Sequence, residues 1–305
     1  MDTTVYRAYG KINLSLDVTG VREDGYHLVR MVMQTVDVSD VLSFTRDPSG
    51  AVGVDIAADS AEPGALLLPA GGDNLICRAI ETMRHHFGIR EGVRAVLQKN
   101  IPMAAGMAGG SVDAAAAFRA MQSLFDLEVS DAQLEALALP LGADIPYCLT
   151  GGTRLAEGIG EKLTVLPDMP ACGIVLVKPA EGVSTGAVYR ALDAEPLIGH
   201  PDTEAMMNAL FSGDLKGICR CCENVLETVT GGMLPDIGRI EEALRRKGAL
   251  AACMTGSGPT VFGVFEARAQ AKKAASALRG ENAFRKCRVI ASGPAACAVE
   301  RISCV

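Results

Sequence analysis

The sequence predicts an α+β chain in two domains, and three observations carry that reading. Strand-like and helix-like segments mix without the regular strand–helix–strand rhythm of a doubly wound parallel sheet. The composition shifts near "EKLTVLPDMPACG", which places a boundary around residue 165 and gives domains of 1–165 and 166–305. With 305 residues, 49% of them hydrophobic and 21% charged, the chain can bury cores of that size.

The elements follow in order. From Ile12 to Val18 the residues alternate strictly, so Ile12, Leu14, Leu16 and Val18 share one strand face. Lys11, Asn13, Ser15 and Asp17 occupy the other, which such alternation predicts to be solvated. After a turn at "REDGYH", the run "LVRMVMQTVDVSDVLSF" reads as further strand. "DNLICRAIETMRHHFG" is a helix with Asp73 as the expected N-cap, apolar residues at helical spacing and Gly88 as its stop. "VRAVLQKN" is a strand that leads into the uncharged loop "PMAAGMAGGSV", and an alanine-rich helix follows. "SDAQ" at 130–133 is a capping box for the next helix. Beyond the boundary come a strand "CGIVLVK", several helices, and strands "ALAACM" and "TVFGVF" separated by "TGSGP". A helix "ARAQAKKAASALRG" and a strand near "KCRVIAS" close the chain.

The whole-chain properties exclude several classes of function. A net charge of −7 and an aromatic content of 4% without Trp supply neither the electrostatic footprint nor the stacking surface of a nucleic-acid binder. The N-terminal "MDTTVYRAYGK" lacks a basic stretch followed by an apolar one, and no apolar run is long enough to span a bilayer. The expectation is therefore a cytoplasmic protein that uses no membrane, with its ten cysteines reduced. The cluster Cys219, Cys221 and Cys222 lacks the paired spacing of a zinc site and reads as small thiols packed inward from a helix.

Five segments can carry chemistry. The loop from Pro102 to Val112 joins a strand to a helix, an order that aims free backbone N–H groups at whatever precedes the helix and favours an anion there. It is not a P-loop, because no GK[ST] follows; read alone, such a loop is more often a tight helix entry. Lys11 is a cation on the polar face of its strand. Asp144, in the nearly uncharged "LGADIPY", is either the N-cap of a helix begun by Pro146 or a general base in a dry site. "TGSGP" is a second small-residue loop, and Tyr26 and His27 follow a turn.

Taken together and in order, these strings resemble the GHMP kinase superfamily. The match runs through "AYGKINLSLDVTGVREDGYH", "DNLI" at 73–76, the segment 99–117, "LGADIPY", "EGIGE" at 157–161 and "TGSGPTVF" at 255–262, and so covers nearly the whole chain. "DGYH", "LGADIPY" and "EGIGE" in combination point, within that superfamily, to the branch acting on a cytidine-diphosphate-linked methylerythritol. The resemblance implies an N-terminal ribosomal-protein-S5-like α/β domain and a C-terminal ferredoxin-like α+β domain. It also implies ATP as phosphoryl donor and Mg²⁺ as metal, its ligands unassigned. The acceptor would be the 2-hydroxyl of a small molecule carrying a cytidine diphosphate.

Residue by residue, the resemblance makes Asp144 the base and Lys11 the cation beside it. Pro102, Met103, Ala104, Ala105, Gly106, Met107, Ala108, Gly109, Gly110, Ser111 and Val112 would wrap the triphosphate, with Asn74 toward the adenosine. Asn13 would hydrogen-bond substrate, Tyr26, His27 and Tyr189 would hold the cytosine, and Thr255, Gly256 and Ser257 would border the acceptor. Mevalonate or homoserine kinases are the nearest alternatives, against which "DGYH" and Tyr189 speak. An inactive ATP-binding relative would need neither Lys11 nor Asp144. Glycine is common in the family where this chain has Ala104, Ala105 and Ala108, and the usual string, roughly "PMGAGLGGGSSDAA", has serine in place of Val112. A left-handed conformation costs an L-residue roughly 1–2 kcal/mol. The alanines are therefore expected at negative φ, with Gly106, Gly109 and Gly110 supplying the unusual conformations and Ser111 the loop's side-chain donor.

Overall fold

A computed structural model describes residues 3–194 and 199–304. The chain opens with two long antiparallel strands, β1 (Thr3–Val21) and β2 (His27–Asp47), which form the spine of an eight-stranded sheet. β3 (Gly53–Ile56) and β4 (Gly92–Gln98) extend it beyond β2, with α1 (Leu75–Phe87) between them. The loop from Pro102 follows β4 and runs into α2 (Gly109–Leu124), then α3 (Asp131–Ala138) and the short α4 (Ile145–Thr150). β5 (Thr153–Glu157) pairs with the first half of β2, and β6 (Lys162–Val165) pairs with β5.

The second sheet has four antiparallel strands. They are β7 (Gly173–Lys178), then β9 (Ala251–Met254), β10 (Val261–Phe265) and β11 (Arg288–Ser292), in spatial order β11-β7-β10-β9. Its helices are α5 (Thr185–Leu192), α6 (Thr203–Ser212), α7 (Leu215–Arg220), α8 (Leu226–Met233), α9 (Asp236–Arg246) and α10 (Arg268–Gly280).

The core explains why the alanine run is helical and buried. Val112 to Phe118 of α2 are all buried, against the β1–β2 sheet on one side and α1 on the other. Alanine is the residue that lets a helix approach a sheet closely at no cost in helix propensity. The Ser130–Gln133 capping box forms in both directions. At α1 the cap is Asn74, one residue after the expected Asp73: its side chain accepts from the Ile76 N–H at 2.9 Å. Gly88 closes that helix in the left-handed conformation, as its position predicts.

Two expectations about organisation change. The polar face of the first strand is not solvated: Lys11, Asn13, Ser15 and Asp17 are all buried, and β1 is covered on both faces from Gly10 to Val18. The cover comes from the second half of the chain, since β8 (Glu223–Asn224) pairs in parallel with Ser15 and Leu16. The division at 165/166 is likewise crossed. A last strand that the sequence reading lacked, β12 (Val299–Cys304), returns to pair with the outer edge of β1. No helix among the described residues is long and apolar enough to cross a membrane, and nine of the cysteines there are free thiols.

Candidate active site

Burial of the polar face of β1 creates the site. A cavity of about 910 Å³ opens where that face meets the loop before α2, the start of α4, α5 and the 255–259 loop. Lys11 sits on its floor, 5% exposed. Its ammonium donates to Asn13 Oδ1 at 2.7 Å and to the Gly106 carbonyl at 3.1 Å, and lies 3.9 Å from Asp144 Oδ2. Asp144 stands at the N-cap position of α4, with Pro146 in the first turn, yet its side chain makes no capping bond. The carboxylate is thus left free to face the cavity and Lys11 rather than to close a helix end.

The loop from Pro102 to Ala108 is shaped by backbone hand. Ala104 (φ 46), Gly106 (φ 71) and Ala108 (φ 55) are left-handed, whereas Gly109 and Gly110 are the first residues of α2. The expectation that glycines alone supply unusual conformations therefore holds at Gly106 and fails at Ala104 and Ala108. Left-handed residues at every second position turn successive N–H groups into one concavity, the geometry of an anion-binding nest, ahead of a helix N-terminus. The strain at the two alanines, roughly 1–2 kcal/mol each, is carried because neighbours hold the loop. Glu62 accepts from the Met103 N–H at 2.9 Å and pairs with Arg288.

Gly106 is also where the two small-residue loops interlock. A Cβ there would stand 2.2 Å from the Thr255 carbonyl oxygen. Thr255 Oγ1 accepts from the Asn13 N–H at 2.9 Å and is fully buried. It joins β1 to the 255–259 loop and does not line the cavity, unlike Gly256 and Ser257, which do. Val112 is likewise away from the cavity, in the core beneath α2. The other residues given a role in binding or catalysis all line it, from Asn13 and Asn74 to Ser111.

At the far end, His27 and Tyr189 pack ring to ring, centroids 4.6 Å apart, while Tyr26 stands exposed at the rim. His27 Nε2 lies 2.7 Å from Asp193 Oδ1. Burial, with Asp144 adding, pushes the Tyr189 hydroxyl up to about 12, so it stays a neutral donor. Sequence reasoning missed a cluster at the other end. Lys99 donates to Asp40 and Asp113 at 2.6 Å each, and Lys99 and Asp113 both line the cavity. Lys99 lies within the matched segment 99–117, but its partners are 59 and 14 residues away and only the fold unites them.

Comparison with known proteins agrees with this geometry. Residues 74–152 match the model of the GHMP kinases N terminal domain, and residues 206–283 that of the GHMP kinases C terminal. A 4-diphosphocytidyl-2-C-methyl-D-erythritol kinase of Caldicellulosiruptor saccharolyticus is 43% identical over 275 residues, 90% of this chain and 92% of that one. One of Lachnospira eligens is 45% identical over 265 residues, 87% and 90% of the two chains. A crystal structure of 4-(cytidine 5'-diphospho)-2C-methyl-D-erythritol kinase superposes with a TM-score of 0.76 at 32% identity, covering 95% of this chain and 98% of the other. A homoserine kinase from Cytophaga hutchinsonii shares the fold, with a TM-score of 0.78 at 18% identity over 99% and 98% of the two chains.

Proposed function

The chain belongs to the 4-diphosphocytidyl-2-C-methyl-D-erythritol kinases, a branch of the ATP-dependent GHMP kinases, and on that premise we propose how its cavity performs the reaction. The γ-phosphoryl of ATP passes to the 2-hydroxyl of 4-diphosphocytidyl-2-C-methyl-D-erythritol, a step of the non-mevalonate route to isoprenoid precursors. The observation that carries the reading is the Lys11–Asp144 pair, held 3.9 Å apart on the cavity floor with the Asp144 carboxylate unused by its own helix.

The triphosphate lies in the 102–111 cradle, where left-handed turns and the N-terminus of α2 present backbone N–H groups and Ser111 a hydroxyl. Asn74 borders the adenosine end. At the other end the cytosine packs among Tyr26, His27 and Tyr189, which leaves the 2-hydroxyl over Lys11 and Asp144. The acceptor oxygen bonds to the γ-phosphorus while the bridging oxygen of ADP departs, and the hydroxyl proton goes to Asp144. Lys11 offsets charge on the transferring group and keeps the carboxylate ionised. Asn13 orients that ammonium and faces the substrate; Gly256 and Ser257 close the acceptor side.

The donor set fits a hard divalent cation brought in on the nucleotide. Ser111 and Asp144 supply oxygen atoms beside the phosphate position. Among the described residues no group of three carboxylates, imidazoles or thiols forms a cage of its own. Mg²⁺ bound there would neutralise charge on the triphosphate. The use of ATP supports a cytoplasmic setting for the activity.

A coupled ADP-release assay with Mg²⁺ tests the function directly. Turnover is expected with the cytidine-linked alcohol and not with mevalonate or homoserine; turnover of either of those in its place would overturn the substrate reading.

A further inference from the structure

The Asp40–Lys99–Asp113 cluster has no part in the chemistry above. It is nevertheless the most deeply buried charged group beside the cavity, its side chains 0%, 3% and 4% exposed. It bridges the two ends of the phosphate loop. Lys99 follows β4 directly, and Asp40 Oδ1 accepts from the N–H groups of Asn100 and Ile101 (2.8 Å for Ile101), where the loop begins. Asp113 lies in the second turn of α2, where the loop has ended. Gly109 packs so closely over the same ammonium that a Cβ would stand 3.0 Å from Lys99 Nζ. One cation thus ties residues 100–101 to residues 109 and 113, and the left-handed loop is strung between them.

We infer that Asp113 is a positioning residue for the phosphoryl donor: through Lys99 it holds the loop's two ends at the spacing that shapes the anion cradle. The inference rests on the donor role proposed for the loop. Asp40 is held by two backbone N–H donors besides Lys99, whereas Asp113 is held by Lys99 alone: its Oδ2 accepts from that ammonium, and its Oδ1 has no hydrogen-bond partner among the described residues.

Three variants test the link. Asp113→Asn keeps an oxygen of the same reach for Lys99, and is expected to retain both KM values within about twofold. Asp113→Ala removes the link while leaving the Lys99–Asp40 pair balanced in an alanine-rich helix. It is expected to raise KM for ATP about tenfold, the scale of a lost hydrogen bond to a charged group, with KM for the cytidine-linked alcohol unchanged. Asp113→Ser, too short to reach Lys99, should repeat the Ala result and replaces it if that variant fails to fold. Binding of a fluorescent ATP analogue without acceptor gives a second readout. A wild type that binds the analogue but does not turn over the alcohol defeats the proposed substrate and leaves this inference to be decided by binding alone. Equal losses in both KM values, no loss in Ala and Ser, or an Asn variant as impaired as Ala would overturn it.

Discussion

Gly106→Ala probes the point where the loop before α2 meets the 255–259 loop. Two costs can be worked from the structure. At φ 71 an alanine occupies left-handed space, for roughly 1–2 kcal/mol. Its Cβ would also stand 2.2 Å from the Thr255 carbonyl oxygen, about 1 Å inside ordinary carbon–oxygen contact near 3.3 Å. Relief requires one loop to move away from the other, an overpacking of about 1–3 kcal/mol. The sum is about 2–5 kcal/mol. A chain of 305 residues unfolds with an entropy near 0.6 kcal/mol per degree, so melting falls by about 3–8 °C. Gly110→Ala is the matched control. Its Cβ would meet only Leu75 Cδ1 at 3.7 Å, at a helical position where alanine gains roughly 0.5–1 kcal/mol over glycine. Differential scanning calorimetry of both variants beside the wild type is the assay. If Gly106→Ala melts within about 1 °C of the wild type, or no lower than Gly110→Ala, the interlock of the loops is wrong.

Asp144→Asn should fold as the wild type does, because the carboxylate makes no capping bond, and should lose about 10²–10⁴-fold in kcat; near-native turnover in an ADP-release assay would remove Asp144 as the base. Tyr189→Ala should weaken the cytidine-linked substrate by the ~1–3 kcal/mol of a stacked base, roughly five- to a hundredfold in KM, with KM for ATP unmoved; steady-state kinetics in each substrate show which value changes. Glu241 gives a pH test away from the site. Burial and the neighbouring Glu227 push its carboxyl up to about 8. Between an ordinary carboxylate pKa near 4.5 and about 8 the folded protein therefore holds a proton that the unfolded chain has released, and stability falls as pH rises through that window. Urea titrations at pH 5, 7 and 9 should show that decline, and Glu241→Gln should flatten it.

Short-range features were legible because local chemistry decides them. The Ser130–Gln133 box, the Gly88 stop and the loop–helix order at 102–112 all depend on neighbours a few residues away. What the sequence did not disclose depends on distant partners. Lys11, Asn13, Ser15 and Asp17 alternate as a solvated face would, yet residues from 200 onward help to bury them, and Lys11 and Asn13 line the cavity. Asp73 and Asn74 are equally good caps in isolation; Asn74 also donates to the Pro69 carbonyl at 2.8 Å, which settles the choice. A final six-residue strand, "VERISC", whose polar residues Glu300 and Arg301 break any alternation, has no signal of its own to assign it to the first sheet.

The alanines at 104 and 108 are the instructive departure. Glycine would adopt φ 46 or 55 without strain, so on local grounds alanine is the worse residue at both places. Its compensation lies in what it denies the loop. An alanine backbone has far fewer alternatives than glycine in the unbound or unfolded chain, so less entropy is lost when the cradle is fixed. The exchange succeeds only if other contacts enforce the left-handed turns. They are present at three points: Glu62 on the Met103 N–H, Lys11 on the Gly106 carbonyl, and Lys99 under Gly109 with Asp113. Gly106, between the two alanines, cannot be replaced in the same way, because there the Thr255 carbonyl occupies the space a side chain would need. The loop is therefore a cradle with one obligatory glycine, shaped by its own contacts, and Lys11, the cation proposed for the reaction, is one of the contacts that shape it.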